Sequence, residues 1–313
     1  MVSNWLKQSI SASLLALLSA GCSPKSAIQP IPEEVFIPTA DGVIVVGDVS
    51  DEPAKKIVRY QPFADYLALQ LDDIGIGIGE VEIAPNMETM ADWLASGKVD
   101  VYFDSPYPAM IVNNLSEAQP ILRRWKKGVE EYHTVIFTRS DSGVKTLDDL
   151  KGQMIAFEDP SSTSGYMLPL SHLVEAGLQP VEKPTAEAIV DQANVGYVFS
   201  YEDENTIQWT LTGRVTAAAV GAPDFLEIPA ETRQQLTVLA ETEPLPRQVV
   251  MISPTLTPEE VASIKTALLS MDESEEGQAV LSAFERTTQF DSFPEGSDQA
   301  LNRMRELYEL TQE

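Results

Sequence analysis

The sequence predicts an α/β protein built from two α/β units and a helical tail. Three observations carry this. Short apolar runs alternate with helical patterns over residues 43–103, the alternation restarts after Tyr132 and continues to about 220, and the chain ends in helical text from Thr257 onward. In the first unit Val43-Ile44-Val45-Val46 reads as a strand, 55–71 as a helix, Val81-Glu82-Ile83 as a strand, 87–96 as a helix and 99–103 as a strand. That spacing predicts a mainly parallel sheet with helices on both faces. In the second unit 133–138 reads as a strand, 147–152 as a short helix stopped by Gly152, and Met154-Ile155-Ala156-Phe157 as a strand. Residues 162–176 then read as a helix entered through a polar turn, 197–199 as a strand, 205–211 as a helix and 215–220 as a strand. In the tail, Thr257-Pro258-Glu259-Glu260 is a capping box with proline at the first helical position, followed by Val261, Ile264, Leu268 and Met271 on one face.

Composition narrows the function. A chain of 313 residues, 43% hydrophobic, can bury the core of one large or two medium domains. Its 21 Lys and Arg against 48 Asp and Glu give a net charge of −27, which repels phosphate backbones and anionic lipid surfaces and excludes nucleic acid as a partner. The one cysteine, Cys22, can form neither an intramolecular disulfide nor a cysteine metal cluster. Its position is informative. Lys7, the apolar run Leu14-Leu15-Ala16-Leu17-Leu18 and Ser19-Ala20-Gly21-Cys22 have the layout of a secretory signal, and the run is too short to span a bilayer. Leu18-Ser19-Ala20-Gly21-Cys22 resembles a bacterial lipobox, which implies removal of residues 1–21, lipidation of Cys22 and a membrane anchor there. Residues 22–40 hold four prolines without a period and suit an extended tether.

Four segments in order resemble one family. They are Tyr60-Gln61-Pro62-Phe63-Ala64-Asp65-Tyr66-Leu67, Ser96-Gly97-Lys98-Val99-Asp100, Asp141-Ser142-Gly143-Val144 with Leu147-Asp148-Asp149-Leu150-Lys151-Gly152, and Asp159-Pro160-Ser161-Ser162-Thr163-Ser164-Gly165-Tyr166. The set is similar to the solute-binding proteins of phosphonate, phosphite and phosphate ABC transporters. The resemblance implies a type II periplasmic-binding fold, with two α/β lobes joined by two crossing strands and closing on an anion, and a transporter permease as partner. Lobe one is then expected at 41–131 plus 250–313, lobe two at 139–246, and the crossings at 132–138 and 247–252.

The chemistry of Ser162-Thr163-Ser164-Gly165 follows from the residues themselves. A strand ending at Phe157, a turn through Asp159-Pro160 and hydroxyl residues opening a helix gather unpaired amides and the positive end of a helix dipole at one point. The three hydroxyls can donate to a tetrahedral oxyanion, and Gly165 lets the backbone approach. The competing reading is a helix cap in which Ser162 serves only its own helix. The family pattern adds Tyr132 as a ligand contact at the first crossover, Asp203 where a histidine is expected, and Gln248, beside Arg247, where an acid is expected. Ser105 completes the candidate contacts. The replacement of the acid by Gln248, and of an expected tyrosine by Met87, argues against an aminophosphonate.

Other features read as structural. Glu202-Asp203-Glu204 lacks the spaced ligands and glycine of a calcium loop and suits a solvated helix start, so no metal is assigned. Gly75-Ile76-Gly77-Ile78-Gly79 leads into a strand, where a dinucleotide loop must leave one, and reads as a flexible connection. His133 and His172 are the only histidines, and no Gly-x-Ser-x-Gly elbow is present. The expected function is therefore a lipid-anchored binding protein on the envelope side of a bacterial membrane that captures a small phosphorus oxyanion, with no cofactor and no catalysis. A ligand-sensing input to a membrane signalling system is the alternative.

Overall fold

The computed structural model describes residues 40–312; Cys22, the expected signal segment and most of the expected tether lie outside them. The chain begins with β1 (Gly42–Val49), α1 (Pro53–Leu69), β2 (Ile76–Ala84), α2 (Met87–Ser96), β3 (Val101–Asp104), α3 (Pro106–Ser116) and β4 (Gln119–Lys126). A two-residue strand β5 (Glu131–Tyr132) leads to β6 (Thr134–Arg139), β7 (Met154–Phe157), a π-helical turn (Thr163–Met167), α4 (Leu168–Glu175), β8 (Pro180–Glu182) and β9 (Val195–Phe199). Then come α5 (Asp203–Leu211), β10 (Ala217–Gly221), α6 (Ala222–Glu227), α7 (Ala230–Arg233), β11 (Leu236–Glu241) and β12 (Leu245–Pro246). The chain closes with β13 (Gln248–Ile252), α8 (Pro258–Ser270), α9 (Glu275–Ala283), β14 (Thr287–Asp291) and α10 (Ser297–Leu310).

Two six-stranded sheets result, ordered β14-β4-β13-β3-β1-β2 and β11-β6-β10-β7-β9-β8, and each is the centre of one lobe. The strands alternate because both faces are covered. In lobe one Val101, Phe103, Val250 and Ile252 face Phe63, Leu67, Ile264 and Leu268 of α1 and α8, while Tyr102, Val249 and Met251 face the side of α2, α3 and α10. In lobe two Ile155, Phe157, Ala217 and Ala219 point toward Leu170 and Leu173 of α4, and Met154, Ala156, Ala218 and Val220 pack with Phe225 and Ile228. The face built on α3 and α10 shares one apolar cluster with that of α4, so the C-terminal helix rests on both lobes. Arg303 of α10 fastens it there, its Nη2 lying 2.9 Å from Glu175 of α4, and its guanidinium also pairs with Glu243 and Glu306.

The crossing is shorter than the sequence suggests. Tyr132 pairs with Leu245 and Glu131 with Pro246 in an isolated antiparallel ladder between the sheets. The segments expected to cross at 132–138 and 247–252 are mostly core strands instead: β6 lies between β10 and β11, and β13 lies between β3 and β4. Their continuous apolar text reflects burial on both faces, which a bare connection does not need. The glycine run at 75–79 is another difference. Residues 76–84 form β2, parallel to β1, and a Cβ on Gly79 would come within 2.2 Å of the Ala64 carbonyl carbon. The glycine is there to let α1 lie directly on the strand.

Candidate functional site

The hydroxyl loop follows β7 at the end of the lobe-two sheet and starts the helix as expected, but the helix begins with a π-turn. Pro169 explains this. An α-helical carbonyl of Gly165 needs the N–H of residue 169, and proline has none; the Gly165 carbonyl accepts from the Glu158 amide at 3.1 Å instead. The Met167 amide reaches the Ser162 carbonyl at 3.0 Å, and the Ser164 carbonyl, left without a helical donor, accepts from the Thr134 hydroxyl at 2.7 Å. The loop is thereby fixed to β6, two residues beyond Tyr132.

The three hydroxyls divide into three roles. Ser162 is the helix cap: its Oγ accepts from the Gly165 amide at 2.9 Å, and its O–H is spent on Glu158. Thr163 is 1% exposed, and its Oγ1 accepts from the amide of Tyr107, in the first turn of α3 on lobe one, at 2.9 Å. Ser164 is partly exposed and reaches Tyr132, as Thr163 does. Gly165 carries no side chain because a Cβ there would lie 2.5 Å from the Glu158 carboxylate and 2.9 Å from Ser162 Oγ. Thr163 and Ser164 sit in the first turn, where amides have no carbonyl a turn behind them.

Tyr132 is buried directly in front of these hydroxyls. Burial pushes its phenol up, while the Arg247 charge and the hydroxyls of Thr163 and Ser164 pull the other way. Arg247 lies over the Tyr132 ring, 4.6 Å from guanidinium carbon to centroid. Ser105 occupies the N-cap position of α3, with its Oγ 3.5 Å from Asp104 Oδ1. Two helix starts, that of α3 on lobe one and that of the Ser162–Thr163 turn on lobe two, thus meet across the cleft at the Tyr107–Thr163 bond. Gln248 is turned the other way: its carbonyl accepts from Arg124 Nη1 at 2.7 Å inside lobe one. Asp203 begins α5, and it is grouped with carboxylates. Burial and the nearby charges of Glu158, Asp224 and Glu204 push it up to about 7. Asp203 and Asp224 also border a cavity of about 400 Å³ between α5 and α6 that contains none of the hydroxyl-loop residues.

Several residues of this site were missed in the sequence. Asp104 accepts from the Ser105 amide at 2.7 Å and from the Tyr102 hydroxyl, and burial pushes it up to about 6 against the Tyr102 bond, with Asp48 adding to the rise. The signal for this helix start was available: Ser105-Pro106 after a strand is a capping residue with proline at the first helical position. Glu158 lies in the hydroxyl loop itself, just before Asp159-Pro160, whereas Asp224 carried no such signal, since only the fold brings it near the hydroxyls.

The chain and its fold have known counterparts. Residues 46–300 match the family described as ABC transporter, phosphonate, periplasmic substrate-binding protein. The chain belongs to that family. It is 26% identical over 191 residues to the phosphate-import protein PhnD of Mycolicibacterium smegmatis, a match covering 60% of this chain and 56% of that protein. The chain therefore spans a little over half the length of that curated relative. Among solved structures it is similar to XAC2383 of Xanthomonas citri, determined with chloride and with ATP, at TM-score 0.76 in both. Identity is 26% and 25%, covering 86% and 87% of this chain and 97% of that one. PhnD1 of Prochlorococcus marinus, determined with methylphosphonate, shares the fold at TM-score 0.58 and 16% identity over 86% of this chain and 98% of its own. The type II two-lobed architecture expected of the family is the one observed.

Proposed function

We propose that this chain is the extracytoplasmic binding component of an ABC transporter and that it captures a small phosphorus oxyanion between its lobes. The observation that carries the proposal is the Thr163–Ser164 helix start set against Tyr132 and Arg247, facing the α3 helix start across the cleft. Such a set supplies hydroxyl and amide donors, two helix dipoles and one cation around a single point, which suits a tetrahedral anion. Family membership supports a binding role over catalysis, and a phosphate importer among the relatives supports the ligand class. The permease partner follows from that role. No helix among the described residues is long and apolar enough to cross a membrane; the Cys22 lipid is the anchor in this reading.

Phosphate, phosphite and methylphosphonate, each added to the purified protein in a thermal-shift experiment, test it. A ligand at a hundred times its dissociation constant stabilises by ~2.7 kcal/mol, and for a chain this long roughly 2 °C accompanies each kcal/mol. A rise of several degrees with at least one of the three is expected, without hydrolysis of any phosphoester offered. Flat melting curves with all three overturn the ligand assignment. Release of the protein from membranes by Cys22→Ala tests the anchor; full retention of that variant refutes it.

A further inference from the structure

One corner of lobe one runs against the charge of the whole chain. Glu285 draws Lys56, Arg59, Arg124 and Lys126 to between 2.7 and 3.5 Å of its carboxylate. Arg286 follows it and Lys127 follows Lys126, so six of the 21 Lys and Arg gather at one place in a protein of net charge −27. The inner four share Glu285. Lys127 and Arg286 are exposed, and among the described residues neither is in an ion pair. Their backbone is unusual as well. Lys127 has φ 59° and Gly128 φ 74° in the turn that closes the Lys126–Val129 bridge, and Glu285 and Arg286 have φ 52° and 57°. Left-handed backbone suits glycine or asparagine, and a two-residue hairpin turn with positive φ at both positions favours Asn-Gly. A lysine and an arginine there strain the chain, and no ion pair of their own offsets it.

The topology puts this corner at the cleft. Gln248 opposes Arg124 and Thr287 opposes Lys126, so the turn after β4 and the start of β14 lie at the end of the lobe-one sheet where Arg247 leads into β13. The two turns are tied by the Lys127 amide, which donates to the Arg286 carbonyl at 2.8 Å. Arg247 is near enough to act on Lys126 through its charge, and Lys127 acts in the same way on Asp224 of lobe two, whose Oδ2 approaches Gly221 together with Ser164 Oγ. Positive charge therefore runs from the solvent edge of lobe one to Arg247 on the Tyr132 ring. We propose that Lys127 and Arg286 are steering residues, whose exposed cations attract the oxyanion to the mouth of the cleft against the repulsion of the acidic surface. A local field of one sign at a cleft raises the concentration of the opposite ion there, whatever the net charge of the molecule. The proposal rests on the oxyanion reading above and adds to it the way the anion arrives.

Isothermal titration at about 0.01 M and about 1 M salt tests it, because the Debye length falls from about 30 Å to about 3 Å between them. The probe is whichever of phosphate, phosphite and methylphosphonate the wild type binds tightest. The double variant Lys127→Asn with Arg286→Asn removes both charges, and asparagine suits the left-handed backbone, so its melting temperature is expected not to fall. At low salt it is expected to bind about tenfold more weakly than the wild type, and at about 1 M salt within about twofold of it. Lys145→Gln with Lys151→Gln takes the same charge from the segment between β6 and β7, at the end of lobe two away from the hydroxyl loop. That pair is expected to stay within about twofold of the wild type at both salts. A Lys127–Arg286 variant as tight as the wild type at low salt overturns the proposal. A loss that persists undiminished at about 1 M salt overturns it too, since it marks a structural role, and so does an equal loss from the Lys145–Lys151 pair, since it marks net charge alone. If the wild type takes none of the three anions at either salt, the oxyanion reading itself fails, and the steering role with it.

Discussion

Glu285 is a buried carboxylate that meets four cations. Its side chain is 7% exposed and meets Lys126 Nζ at 2.7 Å, Lys56 Nζ at 2.9 Å, Arg124 Nη2 at 3.4 Å and Arg59 Nη1 at 3.5 Å. Arg124 is fully buried, its guanidinium carbon 3.9 Å from the Phe284 ring centroid, so it has no water to turn to. Burial opposes ionisation of Glu285, but the charges of Lys126 and Arg124 outweigh it and hold the carboxyl well below the usual carboxylate range. Glu285→Gln keeps the shape and removes the charge. Breaking a buried pair from one side costs ~3–5 kcal/mol, because the remaining charges stay buried. At roughly 2 °C per kcal/mol, scanning calorimetry at neutral pH is expected to show a melting temperature lower by roughly 6–10 °C. The pH dependence has a definite sign. A carboxyl whose folded pKa is depressed stabilises above its unfolded pKa, about 4.3, and that contribution fades as the pH falls toward the folded value. The gap between wild type and variant should therefore be full at neutral pH and narrower at about pH 3. Equal melting temperatures at neutral pH, or a gap that ignores pH, would refute the claim that this carboxylate offsets the buried cations.

Two further outcomes separate the hydroxyls and the acids. Ser162→Ala removes a helix cap and should lower stability by ~1 kcal/mol with little change in oxyanion affinity, whereas Thr163→Val removes the acceptor of the Tyr107 amide across the cleft and should weaken binding by about tenfold or more; titration calorimetry with equal losses from both variants would erase the division of roles. Asp203, with its folded pKa raised to about 7, favours the fold below its unfolded value and loses that contribution as the pH rises through about 7. Asp203→Asn should therefore melt above the wild type at about pH 8 and with no advantage at about pH 4, and an advantage that grows on acidification would contradict the carboxylate cluster.

Much of this protein was legible in its sequence, for local reasons. The strand at Met154–Phe157 and the helix at Met87–Ser96 stand where apolar period and capping put them, and the capping box at Thr257 closes with Glu260 as its spacing requires. The Ser162 N-cap is written in the same local terms, because a cap joins a hydroxyl residue to the amide three positions on. Even the π-turn has a sequence cause in Pro169, although the period of the helix conceals it. Other features were decided only by tertiary structure. Nothing in the text around residue 221 says that Asp224 will share a glycine's space with Ser164, or that Gln248 will turn toward Arg124 and away from the hydroxyls. The crossing at Tyr132 and Leu245 is shorter than the family resemblance implied, because β6 and β13 are each taken up in the sheet of one lobe. Local patterns report what each segment does to its own backbone. That Asp224 comes near the hydroxyl loop and Gln248 turns to Arg124 is set by packing between segments far apart in the chain, and that information enters only when the two sheets and the helices around them close on one another.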